Sequence, residues 1–206
     1  MVEEQPVLTD DDIIRSIREG RTRDYEILVN RYNKRIVNFI HKMIFDYDEA
    51  MSLAQDVFVQ VFQYLKNYKY QDNFQAFLFV IARNRTFNYI KKHKRMSWFS
   101  RFQSDSGKQP EHMFITMDNQ QDSMETDEQD AIITEALKTL NENQRLALIL
   151  KVYLDFSYNK ISDITGWTIP KVETLISRAK TNLKKIIAEK NLQEIRHSNV
   201  IKERSK

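Results

Sequence analysis

The 206-residue chain carries 32 Lys and Arg against 29 Asp and Glu, a net charge of +3, and its 41% hydrophobic content suffices for one mid-sized core or two small ones. Three scattered Gly, three Pro and no Cys exclude a Gly-rich phosphate loop, a disulfide framework and a thiolate nucleophile or zinc site. The four His (His41, His93, His112, His197) lack metal-ligand spacing, no acid–base or nucleophile constellation is visible, and no apolar run approaches the roughly 20 residues of a membrane span; the expectation is a soluble cytoplasmic protein without metal, cofactor, catalytic residues or membrane insertion.

Few helix breakers predict an all-α protein. Thr9 followed by Asp10, Asp11 and Asp12 reads as an N-cap with acids in the first turn of a helix reaching about Glu19. A second helix is predicted from Thr22 to about Phe45, with Tyr25, Leu28, Tyr32, Ile36, Phe39 and Ile40 inward. A third, from about Tyr47 to Tyr68, places Ala50, Leu53, Ala54, Val57, Phe58, Val61 and Leu65 on its apolar stripe. Its opposite face gathers Ser52, Gln55, Asp56, Val59 and Gln63, an apolar Val among polar groups where water is expected.

Residues 67 to 73 form an aromatic, amide-rich loop that includes Tyr68, Lys69, Tyr70, Gln71, Asp72 and Asn73; loops on a rigid helical frame often carry recognition. The next helix, from Phe74 into the cluster Lys91, Lys92, Lys94 and Arg95, has two readings. Phe74, Leu78, Ile81 and Ala82 point inward, as apolar residues at helical spacing normally do. At 100° per residue, however, Phe77, Asn84, Asn88, Lys91 and Arg95 share an adjoining stripe. A ring can stack on an unpaired base, an amide can read a base edge and cations hold phosphates, so the stripe suits DNA whose bases are leaving the stack.

From Met96 to Asp130 the pattern dissolves into Ser, Gln, Asp and Glu with Gly107 and Pro110, predicting a flexible acidic linker. Charge follows the same division, at −4 for residues 1–59, +8 for 60–103, −7 for 104–130 and +6 for 131–206. Two basic blocks attract a polyanion through counterion release, and the acids between them keep the linker solvated. Beyond it, Ile132, Ile133, Ala136, Leu137 and Leu140 mark one helix, and Gln144 to Leu154 a second. Ser157 is an expected N-cap for a short helix with Ile161 and Ile164; Gly166-Trp167 make a turn, and Thr168 caps a helix to about Glu189 with Pro170 in its first turn. Val172, Leu175, Ile176, Ala179, Leu183 and Ile186 or Ile187 face inward, leaving Thr168, Lys171, Glu173, Thr174, Ser177, Arg178 and Lys180 as candidates for contact with a DNA major groove. By this unit alone the chain could equally be a helix-turn-helix transcriptional regulator.

Taken in order, these motifs resemble the extracytoplasmic-function (ECF) sigma factors of bacterial RNA polymerase. Ser52-Leu53-Ala54-Gln55-Asp56-Val57-Phe58 stands where region 2 of the family has an Asp-Leu-Val-Gln-Glu-Val-Phe type core, and Phe77-Leu78-Phe79-Val80-Ile81-Ala82-Arg83-Asn84 where it has Trp-Leu-x-x-Ile-Ala-x-Asn. The region 4 pattern Leu-Ser-Tyr-Glu-Glu-Ile-Ala, Gly-x-Ser and Thr-Val-Lys-Ser-Arg matches Phe156-Ser157-Tyr158-Asn159-Lys160-Ile161-Ser162, Gly166-Trp167-Thr168 and Val172-Glu173-Thr174-Leu175-Ile176, with Arg178-Ala179-Lys180 for the later Arg-Ala-Arg.

The resemblance implies two small helical domains. Region 2 would span residues 1–95 and region 4 residues 131–190, joined by a linker at 96–130 and followed by a basic tail at 191–206. It implies binding to core RNA polymerase through its β′ clamp and β subunits, with Ser52, Gln55, Asp56, Val59 and Gln63 on the clamp. The single-stranded −10 element would meet Tyr68 to Asn73, Phe77, Asn84, Asn88, Lys91 and Arg95, and the duplex −35 element the face from Thr168 to Lys180. An anti-sigma factor is a further partner common in the family. Glu173 and Leu175, at positions often basic in the family, imply a different −35 sequence, since a carboxylate repels phosphate and can accept from a cytosine amine. A linker of about 35 residues spans roughly 30–35 Å as a coil and over 100 Å extended, enough for promoter elements on the order of 50 Å apart.

Overall fold

The structure, a computed structural model, describes residues 8–68, 73–103 and 128–204, with side chains at 8–68, 73–96 and 133–188. These residues are all-α and divide into two compact units. The first holds α1 (Asp10–Arg18), α2 (Tyr25–Ile44), α3 (Tyr47–Tyr64) and α4 (Phe74–Gln103); the second holds α5 (Glu128–Thr139), α6 (Glu142–Leu148), α7 (Tyr158–Thr165) and α8 (Ile169–Arg204).

In the first unit α2, α3 and α4 pack on one another and α1 packs on α2. Leu28, Ile36, Phe39, Ile40, Ala50, Val57, Val61, Leu78, Phe79 and Ala82 fill the core at 0–1% exposure. Transfer of the Leu, Ile, Val and Phe side chains from water contributes roughly 1.5–3 kcal/mol each. Phe39 and Phe79 meet edge to face at 5.5 Å, which locks α2 to α4. Thr9 and Asp12 form a reciprocal capping box at the start of α1. Asp10, in that first turn, accepts from the Tyr32 hydroxyl at 2.5 Å and pairs with Arg31, tying α1 to α2. Between α2 and α3 the chain reverses through Phe45, left-handed at φ 62, and Asp46, whose side chain accepts from the Glu49 amide at 2.9 Å as the α3 N-cap.

The second unit is a helix-turn-helix on two supporting helices, with α5, α6 and α7 all packed on α8. Its core holds Ala136, Leu137, Leu146, Ala147, Ile149, Leu150, Ile161, Ile164, Val172 and Ala179 at 0–1% exposure. Asn141 and Ser157 cap α6 and α7 by accepting from the amides of Gln144 and Lys160. Gly166 ends α7 at φ +71, and no atom lies within 4 Å of an added Cβ, so the turn selects glycine for backbone conformation rather than for space.

Several expected boundaries shift. α4 passes the expected limit at Arg95 and continues through Met96 to Gln103, and α8 runs through the expected tail at 191–206 as far as Arg204, because neither stretch contains Gly or Pro. α5 begins at Glu128, inside the expected linker, of which residues 104–127 lie outside the described residues. The second and third predicted helices each include a 3-10 turn, Thr22–Asp24 before α2 and Leu65–Asn67 after α3, and α6 loosens into a π segment, Ile149–Tyr153. Ile133, one of the residues that mark the fifth helix in the sequence, is 37% exposed.

Candidate nucleic-acid interface

On α4 the core side is taken by Phe74, Leu78, Phe79, Ile81, Ala82 and Thr86, the last donating its hydroxyl to the Ala82 carbonyl at 2.8 Å. Asn84, Asn88, Lys91 and Arg95 are left exposed, as their spacing predicts, together with Lys92 and Lys94. Two amides thus precede four cations along one helix. Phe77 is half-buried rather than free: its ring lies 5.4 Å from Tyr68 and 6.4 Å from Phe74. Asn73 is exposed and accepts from the Ala76 amide at 3.2 Å, holding the first turn of α4.

Tyr68 departs from the sequence expectation. It is 5% exposed, with its ring between Phe74 and Phe77 and its carbonyl held by the Arg18 guanidinium. The same guanidinium donates to the Leu65 carbonyl at 2.9 Å. Tyr68 therefore supports the start of α4 and presents no ring to solvent. Lys69, Tyr70, Gln71 and Asp72 lie outside the described residues.

Two arginines beside the stripe were not among the residues singled out from the sequence. Arg83 donates to Asn84 Oδ1 twice, from Nε at 3.1 Å and from Nη2 at 2.6 Å. Its partial burial pulls its pKa below the usual arginine value, and it remains a cation at neutral pH. Arg85 reaches back to α3, donating to Gln60 Oε1 at 2.7 Å and lying 3.8 Å from Asp56. Consecutive helical residues diverge by 100°, so periodicity discounts a contact such as that between Arg83 and Asn84. The Arg85 contact requires knowing which helix packs alongside. Farther along, the Tyr89 and His93 rings lie 4.1 Å apart, and burial with Glu49 and Asp46 nearby pushes the Tyr89 hydroxyl up to about 12.

On α3 the five polar-face candidates Ser52, Gln55, Asp56, Val59 and Gln63 are all exposed, Val59 at 58%. Met51 and Phe62, 42% and 41% exposed, extend the apolar character of this face. An open groove of about 540 Å³ lies beside it, lined by Thr22, Arg23, Tyr25, Phe58, Val59, Phe62 and Gln63. Tyr25 floors it, its ring 5.0 Å from Phe62 and its hydroxyl donating to the Phe58 carbonyl at 2.6 Å.

In the second unit Val172, Ile176 and Ala179 fix which side of α8 is buried, leaving Thr168, Lys171, Glu173, Thr174, Ser177, Arg178 and Lys180 exposed. On the helical wheel Thr174 and Ser177 lie opposite the core, with Arg178 and Lys171 to one side and Glu173 and Lys180 to the other. The Lys171 ammonium sits 5.2 Å from the centre of the Trp167 ring, which anchors it beside the turn. That turn is held by the Ser162 hydroxyl donating to the Trp167 carbonyl at 2.6 Å and by the Trp167 amide donating to Thr165 Oγ1 at 3.2 Å. Thr174 donates its hydroxyl to the Pro170 carbonyl at 2.8 Å.

Among the described residues no group of His, Cys, Asp or Glu is arranged to hold a metal, and no helix is long and apolar enough to cross a membrane. The family model for sigma-70 region 2 matches residues 28–96 and that for sigma-70 region 4 matches residues 130–183, together well over half of the chain. The RNA polymerase sigma-H factor of Pseudomonas aeruginosa is 24% identical over 180 residues, covering 86% of this chain and 93% of that one. The ECF RNA polymerase sigma-E factor of Escherichia coli K12 is 22% identical over 175 residues, covering 84% and 91%. The sigma factor RpoE of Bartonella quintana, solved in complex with the anti-sigma factor NepR, shares the fold with a TM-score of 0.63 over 80% of this chain and 97% of that one, at 23% identity. With both region models matching in order across two separate helical units, the chain belongs to the sigma-70 family of RNA polymerase sigma factors, in its ECF group.

Proposed function

We propose that this sigma factor divides promoter recognition between its units, with α8 reading duplex −35 DNA and α4 holding the −10 element as it opens. The observation that carries the reading is the α4 face itself: Asn84, Asn88, Lys91 and Arg95 are exposed on a helix whose other side is core. Amides there can bond to bases that have left the duplex, and the cations beyond them neutralise the backbone. Asn73 and Phe77 border the same face, with Tyr68 behind Phe77 as its support and residues 69–72 as further contacts. Opening requires no covalent step; binding energy offsets unstacking of a few kcal/mol per flipped base.

On α8 the proposed −35 contacts are Thr168, Lys171, Glu173, Thr174, Ser177, Arg178 and Lys180. Thr174 and Ser177 are suited to base edges, Lys171, Arg178 and Lys180 to phosphates, and Glu173 to a cytosine amine. Core polymerase is the proposed partner of the exposed α3 face, Ser52, Gln55, Asp56, Val59 and Gln63, through its β′ clamp, with the β subunit as a second contact. Partnership with polymerase implies action in the cytoplasm. An anti-sigma factor is a further proposed partner, by analogy with the Bartonella quintana complex.

The test is transcription from a promoter library with purified core polymerase, with and without this chain. Promoter-specific transcripts that require the chain support the reading and reveal both elements. Asn84→Ala is expected to impair open-complex formation more than duplex binding, whereas Lys171→Ala or Arg178→Ala weakens duplex −35 binding. Equal effects of all three on duplex binding would end the proposed division of labour.

A further inference from the structure

The Arg83 guanidinium spends two donors on a single acceptor, bonding Asn84 Oδ1 from Nε at 3.1 Å and from Nη2 at 2.6 Å. Because guanidinium only donates, the atom it grips is the amide oxygen, and the flip state of Asn84 is fixed by chemistry. The two N–H groups of the planar fork converge on that oxygen from one side and set a positive charge against it. What Asn84 then offers to solvent from its exposed position is the Nδ2 amine with its two N–H donors. We infer that Arg83 is a positioning residue that turns Asn84 into a donor-only reader, so that the unpaired base it meets is selected through an acceptor on its edge.

This rests on the reading of α4 as the −10 strand surface and adds a rule to it. An asparagine with both ends free can pair with adenine in the bidentate manner, accepting from N6 and donating to N7. With Oδ1 held by the charged fork that mode is disfavoured, because the adenine amine would have to approach beside the guanidinium. Donation to an acceptor such as cytosine O2 or N3, thymine O2 or O4, or guanine O6 or N7 stays open. Arg83 is itself half-buried beside Asn84, so the orientation is set before DNA arrives and costs no ordering of the amide at the moment of binding.

The experiment uses the full chain assembled with core polymerase and a randomised pool of single-stranded DNA, read by sequencing of the retained strands. The quantity of interest is the enrichment of the best over the worst base at each position, recorded beside total retention and its salt dependence. Asn84→Ala is expected to flatten the enrichment at one position, identifying the base it reads, by about tenfold for a contact of this kind. Arg83→Ala and Arg83→Lys are both expected to reduce enrichment at that same position to within about threefold of even while total retention changes little, since lysine keeps the charge and loses the planar fork. Asn84→Asp keeps the acceptor and removes the donors, so it is expected to lose selectivity as fully as Asn84→Ala.

Two results would overturn the inference while leaving the α4 surface intact. One is that Arg83→Lys retains full enrichment and Arg83→Ala only lowers retention with a shallower salt slope, which makes Arg83 a phosphate contact. The other is that Asn84→Asp keeps or gains selection for a base bearing an amine, which means that Oδ1 leaves Arg83 on binding. If Asn84→Ala flattens no position, the base-reading role of α4 fails, and the role of Arg83 fails with it.

Discussion

Arg145 is a buried cation on α6, 9% exposed, that closes the end of α5. Its Nε donates to the Leu137 carbonyl at 3.0 Å, and its Nη2 donates to the carbonyls of Lys138 at 3.2 Å and Leu140 at 3.0 Å. These are among the carbonyls that a helix C-terminus leaves without intrahelical partners. Burial pulls the Arg145 pKa down to about 10, so it is still a cation at neutral pH and its removal also relieves a desolvation cost. The Leu137 carbonyl keeps the Leu140 amide at 3.2 Å when Arg145 is removed, and Lys138 is half-exposed and open to water. The Leu140 carbonyl, on a residue 2% exposed, loses the most. With about 1–3 kcal/mol for a buried group left unpaired and a lesser amount for each of the other two bonds, Arg145→Met is expected to destabilise the second unit by about 3 kcal/mol. Methionine keeps most of the apolar stem, so the change isolates the hydrogen bonds from the packing. Urea unfolding followed by Trp167 fluorescence in a Trp98→Phe background reads this unit alone, because those are the only two tryptophans of the chain. A loss below about 0.5 kcal/mol, the usual effect of a surface change, would refute the assignment of Arg145 as the cap of α5.

Val59→Glu is expected to weaken association with core polymerase by tenfold or more, on the order of a hot-spot loss, while the melting temperature stays within a few degrees, since Val59 is 58% exposed; fluorescence titration and a thermal melt check the two halves. Lys91→Ala and Arg95→Ala are each expected to lower the slope of log affinity against log salt for single-stranded DNA by about 0.7; unchanged slopes would remove these cations from the phosphate contacts. Burial, with Lys42 nearby, holds His41 below its ordinary value of 6.5. The unfolded chain therefore binds more protons than the folded one once the pH falls below 6.5, so the stability of the first unit is full above that pH and declines as the pH drops toward the folded pKa. In urea unfolding of the first unit on either side of pH 6.5, His41→Gln is expected to reduce this acid loss, and an identical loss in the variant would refute the burial argument.

The positions of the helices and the identity of their outward faces were legible because both are properties of a single helix. Seven apolar residues of the third predicted helix recur at helical spacing, and of these Ala50, Ala54, Val57, Phe58, Val61 and Leu65 are buried and Leu53 is half-buried, while Val59 on the opposite face is open. The caps at Thr9 and Ser157 and the turn at Gly166 were readable for the same reason, since each acts within one turn of chain. Helix ends were read less well where composition turns polar without a breaker, as at Met96–Gln103, because polarity alone does not stop a helix.

Periodicity, capping and composition are enough to specify an all-α chain of two units, the order of its motifs, and the exposure of Asn84, Asn88, Lys91 and Arg95 on α4 and of Thr174, Ser177 and Arg178 on α8. Helix packing was needed to reveal that Tyr68 is a buried support for Phe77, that Arg85 ties α4 to Asp56 and Gln60 of α3, and that Arg145 closes α5. A repeat of 3.6 residues fixes the angle of a side chain about its own helix axis and carries no information on what lies across the gap. Those contacts join residues between 5 and 29 positions apart, on separate elements, and exist only once the helices have packed.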